Sequence, residues 1–174
     1  MFKAGDMIVY GGTGVCRVVD ITVPEFAKEH GNREYYQLEP IYENGTIYAP
    51  VDNENLSMRY VMGKEEADQM IAMIPEIQTE EFKEKSTQKL TEHYKSRIRG
   101  QNCEDLICVI RSAHKKKIKA EEENKKFGQI DKKFMKKAEN LLFGELAIAL
   151  EIDKDDVAGY IAAKVGDKKL MEEL

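Results

Sequence analysis

The sequence has few of the groups that build metal or covalent chemistry: its 174 residues include three cysteines and three histidines. Cys16, Cys103 and Cys108 are odd in number and contain no CxxC pair, which argues against a disulfide framework or a structural zinc site and leaves reduced, structural thiols. His30, His93 and His114 are scattered, and neither HxxxH nor HExxH occurs, so a catalytic metal centre has little support. No GxSxG elbow or compact Cys/His arrangement is present, although catalytic residues can still converge in space. No apolar run approaches the ~20 residues needed to span a bilayer, and Met1-Phe2-Lys3-Ala4-Gly5-Asp6 lacks the long apolar core of a signal peptide. The expected location is therefore cytoplasmic, with no cofactor, no membrane and no small-molecule substrate.

Charge is present in abundance, and it is segregated. The net charge is −5, which speaks against indiscriminate binding to polyanions, but a total can hide a distribution. Residues 1–60 carry five Lys/Arg against nine Asp/Glu. Residues 83–137 carry seventeen against eight, and the remaining stretches five against fifteen. The chain is acidic at both ends and basic in the middle.

The texture also changes, near Arg59. Residues 7–10 and 15–21 are β-branched and apolar, separated by Gly11-Gly12-Thr13-Gly14, and read as two strands and a turn. Residues 34–41 and 46–49 flank Asn44-Gly45, a strong hairpin signal because both residues accept positive φ. Pro40 removes a ladder donor, so its strand is expected to be bulged there or to lie at an edge. From Gly63 the period becomes 3.6. Ala67, Met70, Ile71 and Ile74 share the face of a short helix that Pro75 ends. Further helices are predicted over about 80–99, from Asn102 with Asp105 as a capping box, over about 131–149, and after Asp153. The fold class predicted is α+β in two domains: a small, bent SH3/Tudor-like sheet over 1–57, then a compact five-helix domain over 64–174.

Three features invite functional readings. Gly11-Gly12-Thr13-Gly14 lacks the Lys-Ser/Thr of a phosphate loop and leads into a strand where such a loop needs a helix, so a hairpin turn is the better reading. Glu145 falls about 20° from Phe134 around its helix, inside the apolar stripe. There it must be paired or hydrogen-bonded, or its pKa must rise; it reads either as a chemical group in a cleft or as half of a structural ion pair, with Arg111 a candidate partner. Finally Lys89, Lys95, Arg97 and Arg99, then Arg111, Lys115, Lys116, Lys117 and Lys119, then Lys132, Lys133, Lys136 and Lys137 form three basic clusters at helix edges. Such runs are often only a solvated face, but this degree of segregation suits a phosphate backbone. No motif for reading base sequence is evident, so the expected contact is with backbone and groove shape.

Phe2-Lys3-Ala4-Gly5-Asp6-Met7-Ile8-Val9-Tyr10, the Gly14-Val15 turn exit, Pro50-Val51-Asp52-Asn53, and the run from Lys136 through Phe143-Gly144-Glu145-Leu146-Ala147 together resemble the CarD/CdnL family of bacterial transcription regulators. The N-terminal part is also similar to the RNA polymerase-interacting domain of transcription-repair coupling factors. The resemblance implies a non-enzymatic protein that docks its β-module on the RNA polymerase β subunit and lays its helical domain on promoter DNA, stabilising the open complex. In such proteins an edge strand pairs with an edge strand of the polymerase lobe. The corresponding residues here are Thr46, Ile47, Tyr48 and Ala49. Some relatives place arginine where Tyr48 falls, so docking here is expected to lean on stacking and main-chain bonds.

Relatives also carry a tryptophan that wedges at the edge of the bubble, and this chain has no tryptophan. Alignment on Tyr94-Lys95 puts Leu90 in its place. Leu90 is then either a smaller wedge or a core residue, since Leu90, Tyr94 and Ile98 also make an ordinary i, i+4, i+8 stripe. The family's basic DNA face carries over best onto Lys95, Lys116 and Lys132, with Lys89 and Arg97 beside them. Two other readings stand next to this one: an RNA- or ribosome-associated protein using the same basic patch, and an enzyme whose site is assembled across the domains.

Overall fold

The computed structural model describes residues 1–29, 31–53 and 57–166. It divides into two compact units, Met1–Val61 and Met62–Leu174. His30 lies outside the described residues.

The first unit is a five-stranded antiparallel sheet: β1 (Met7–Tyr10), β2 (Gly14–Thr22), β3 (Tyr35–Pro40), β4 (Ile47–Pro50) and β5 (Met58–Tyr60), in the order β4-β3-β2-β1-β5. β5 lies past residue 57, so the sheet runs three residues beyond the expected domain limit. A short helix, α1 (Glu25–Lys28), interrupts the passage from β2 to β3. The period-2 pattern places Ile8, Cys16, Val18, Tyr36, Leu38 and Ala49 on one face, and these six form the core. Each large aliphatic buried there contributes about 1.5–3 kcal/mol. Burial, then the charge of Glu43, pushes the Cys16 thiol up to about 11, which makes it an inert core group at neutral pH.

Gly11–Thr13 forms a single 3-10 turn between β1 and β2, ending on Gly14 at φ 92°, a conformation that needs glycine. It is a turn between strands, not the head of a helix. The Asn44-Gly45 signal is answered differently from the tight turn it suggests. β3 and β4 do pair, but through a loop over 41–46, and of the two residues only Gly45 has positive φ. The bulge falls in β2, not at Pro40: pairing passes from Val18↔Leu38 to Asp20↔Gln37 and leaves Val19 as the extra residue. Pro40 closes β3 two residues past the Leu38↔Ile47 pair, where β4 has not yet begun and no donor is required.

The second unit contains α2 (Lys64–Met73), α3 (Thr87–Arg99), α4 (Cys103–Glu122), α5 (Gln129–Leu150) and α6 (Val157–Val165). Pro75 sits in a 3-10 turn, Ile74–Glu76, that ends α2. Asn102 caps α4 by accepting from the Glu104 N–H at 2.9 Å. The expected partner in a capping box, Asp105, instead binds the Arg97 guanidinium at 2.6 Å. Asp153 makes no side-chain cap bond.

The second helix starts seven residues later than its pattern suggests. Ser86 caps α3, accepting from the Lys89 N–H at 3.4 Å. Upstream, side chains of α4 supply what helical N–H groups would have supplied: Arg111 donates to the carbonyls of Ile74 (3.3 Å) and Ile77 (2.7 Å), and Lys115 to that of Thr79 (2.9 Å). α3, α4 and α5 then pack around Leu90, Tyr94, Ile98, Leu106, Ile110, Phe134 and Leu142, all buried.

Candidate functional site

Two surfaces carry the sequence-based expectations, and each belongs to one unit. The first is the outer edge of β4, whose one strand neighbour is β3. The direction of its backbone groups follows from one bond. The Val51 N–H donates to the Glu34 carbonyl at 3.1 Å, and residues 51 and 34 continue the register Tyr35↔Pro50. In an antiparallel ladder hydrogen-bonded pairs alternate with non-bonded ones. Ala49 with Tyr36, and Ile47 with Leu38, are therefore bonded pairs whose groups face β3. Tyr48 and Pro50 aim theirs outward, and Pro50 has no N–H. Tyr48 is the residue of β4 that offers both a donor and an acceptor to a further strand.

The side chains divide on the same parity. Ala49 is fully buried and Ile47 packs against the core, whereas Thr46 and Tyr48 are exposed. Of the four residues expected to dock, Ile47 and Ala49 thus hold the edge in place and Thr46 and Tyr48 face outward. Sequence reasoning missed two neighbours. Phe26 of α1 meets Tyr48 edge-to-face at 5.7 Å and Tyr35 at 5.3 Å, and it is 54% exposed. The signal was an aromatic residue in a segment with no strand pattern, Pro24-Glu25-Phe26-Ala27-Lys28, where buried Ala27 anchors the helix and turns Phe26 out.

The second expectation concerns the basic residues, and the fold sorts ones that look equivalent in the sequence. Lys89, Lys95 and Lys132 are exposed. Arg97 is exposed but ion-paired with Asp105 at 2.6 Å. Lys116 is different: its side chain is 14% exposed and binds Asp131 at 2.9 Å. Asp131 also accepts from the Tyr94 hydroxyl at 2.5 Å. Burial, then the hydrogen bond and charge of Asp131, drives the Tyr94 phenol far above its ordinary value. This Tyr94–Asp131–Lys116 network joins α3, α5 and α4. It also explains Gly128, where a Cβ would sit 2.7 Å from Asp131 Oδ2. Lys116, expected as a phosphate contact, thus has its ammonium committed to Asp131 within this network.

Of the two readings of Leu90, its place fits the core one: it is 7% exposed, in line with buried Tyr94 and Ile98.

Glu145 is 2% exposed. It accepts from the Met62 N–H at 3.2 Å and from the Cys103 thiol at 3.7 Å, so it ties the start of the second unit to α4 and α5. A cavity of about 360 Å³ is lined by Phe82, His93, Arg97, Cys108 and Ser112 among others. His93 stacks flat on Phe82 at 3.6 Å, which commits one face of the imidazole to packing. Among the described residues no cluster of His, Cys, Asp or Glu could hold a metal ion, and no helix is long and apolar enough to cross a membrane.

Residues 2–62 match the family model described as the CarD-like/TRCF RID domain. No curated protein matches the sequence.

Proposed function

We propose that this chain, whose residues 2–62 match the CarD-like/TRCF RID domain, interacts with RNA polymerase, docking the outer edge of β4 on the polymerase β subunit while the basic stretch 83–137 of its helical unit contacts promoter DNA. The observation that carries the docking is the edge itself: Tyr48 directs its N–H and C=O away from the sheet, and β-augmentation uses these groups. Lys89, Lys95 and Lys132 support the DNA contact, being exposed on the unit where positive charge is concentrated. Their contribution is counterion release along the phosphate backbone, largely independent of base sequence.

Neither contact needs a covalent step. A protein that holds polymerase with one unit and DNA with the other shifts the equilibrium between closed and melted promoter only through its differential affinity for the two states. The proposed preference is for the melted, open complex.

The test uses the full-length chain with a photo-crosslinking amino acid at position 46, beside the outward-facing pair, mixed with the cognate polymerase. The expected adduct is with the β subunit. An adduct confined to another subunit, or none, would contradict the assignment.

A further inference from the structure

The outer face of the sheet beside β4 carries an aromatic group that the core does not need. Tyr35, Gln37 and Tyr48 alternate with the core residues Tyr36, Leu38 and Ala49, so they occupy the opposite face. α1 lays Phe26 across that face, edge-to-face with both tyrosines. Edge-to-face geometry leaves ring faces open, and Phe26 and Tyr48 remain 54% and 39% exposed.

A strand added to β4 has its register fixed by Tyr48. The incoming residue opposite Tyr48 forms the bonded pair, and its side chain stands on the same face as the Tyr48 ring, with Cβ atoms about 4.5–5.5 Å apart. That side chain lands beside Phe26. The surroundings specify its charge. Residues 1–60 are net acidic, and Lys28, on the same helix as Phe26, is held by Glu25 at 2.8 Å. Open ring faces in an acidic setting attract a cation more than an acid or an alkyl group.

We propose that Phe26 and Tyr48 form a cation-accepting platform, and that the polymerase strand pairing with β4 presents an arginine or lysine opposite Tyr48. This rests on the β4 docking reading and adds the identity of the side chain that the edge selects. The arrangement gives specificity beyond main-chain bonding, because any strand can offer N–H and C=O groups but only some offer a cation at that position.

The experiment measures affinity of the full-length chain for cognate RNA polymerase, with Phe26 replaced by a ring-trifluorinated phenylalanine. Fluorination keeps the size and apolarity of the ring while draining electron density from its face. Weakening by roughly three- to thirty-fold is expected, with Phe26→Leu weakening to a similar extent. Unchanged or tighter binding by the fluorinated protein would overturn the platform and leave an ordinary apolar contact. Tyr48→Pro is the companion variant, with Thr46→Pro as a second should the first disturb the fold. If both fluorination and the edge prolines leave binding intact, the docking reading itself fails. If the prolines abolish binding and fluorination does not, only the cation is ruled out.

Discussion

The two proposed contacts draw on different parts of the chain. In the sheet the main-chain part is the Tyr48 N–H and C=O, which face away from β3, and the side chains of Ile47 and Ala49 hold the edge against the core. In the helical unit the proposed contact draws on side-chain charge, and there the fold divides the lysines into those that build the domain and those that face solvent. Lys115 and Lys116 are occupied by the Thr79 carbonyl and by Asp131, while Lys89, Lys95 and Lys132 are exposed. A basic cluster read from sequence therefore overstates the charge it leaves to solvent, whereas an edge strand read from sequence hides which of its residues face outward.

The largest effect that tests this division is expected at Asp131. Its removal leaves the Tyr94 hydroxyl and the Lys116 ammonium without a shared partner in a largely buried site, so Asp131→Ala should lose about 3–5 kcal/mol in urea unfolding. Lys132→Ala, one position away and exposed, should change stability by less than about 0.5 kcal/mol. Equal effects would erase the distinction between building and facing lysines. Leu90→Ala comes next, with about 2–5 kcal/mol expected from the forfeited transfer energy and a cavity. A negligible loss would place Leu90 on the surface after all.

At the sheet edge the comparison is between neighbours. Ile47→Pro removes a donor that faces β3 and should lower the stability of the first unit. Tyr48→Pro removes one that faces outward and should leave stability nearly unchanged while weakening polymerase binding. The reverse outcome, read from thermal melts alongside binding isotherms, would mean the bonded parity is opposite to that inferred from the Val51 N–H.

Joint replacement of Lys89, Lys95 and Lys132 by Ala should flatten the plot of log DNA affinity against log salt by about 0.9 for each phosphate that is no longer neutralised. Lys116→Met should leave that slope unchanged. The smallest expected effect is on pH dependence. Burial, then the charges of Arg97 and Lys116, lowers the His93 pKa in the folded chain. As pH falls below about 6.5 the unfolded chain takes up this proton first, so stability is full above that value and declines below it. His93→Gln should make the melting temperature less sensitive to pH in that range.

What was legible in the sequence followed from local rules. The alternation around Ile8, Val18 and Leu38 specified strands, and Asn102 marked the start of α4 from its own cap. What was not legible depended on partners distant in the chain. Residues 80–86 match a helical period, but Arg111 and Lys115 satisfy carbonyls just upstream and Ser86 opens α3 at Thr87. Lys116 and Lys132 look alike until Tyr94 and Asp131 are brought together. Tyr48 cannot be told from Ile47 as the outward donor without the register of β3, because alternation gives the period of a strand but not its phase.

The most direct test of the account is the lifetime of the open promoter complex formed by the cognate polymerase, measured by competitor challenge with and without the full-length chain. The account predicts that the wild-type chain lengthens that lifetime. Tyr48→Pro should remove the effect by releasing the polymerase, and the combined Lys89→Ala, Lys95→Ala and Lys132→Ala variant should reduce it while polymerase binding persists. A lifetime unaffected by the wild-type chain, under conditions where it binds polymerase, would contradict the proposal that the two units act together on promoter opening.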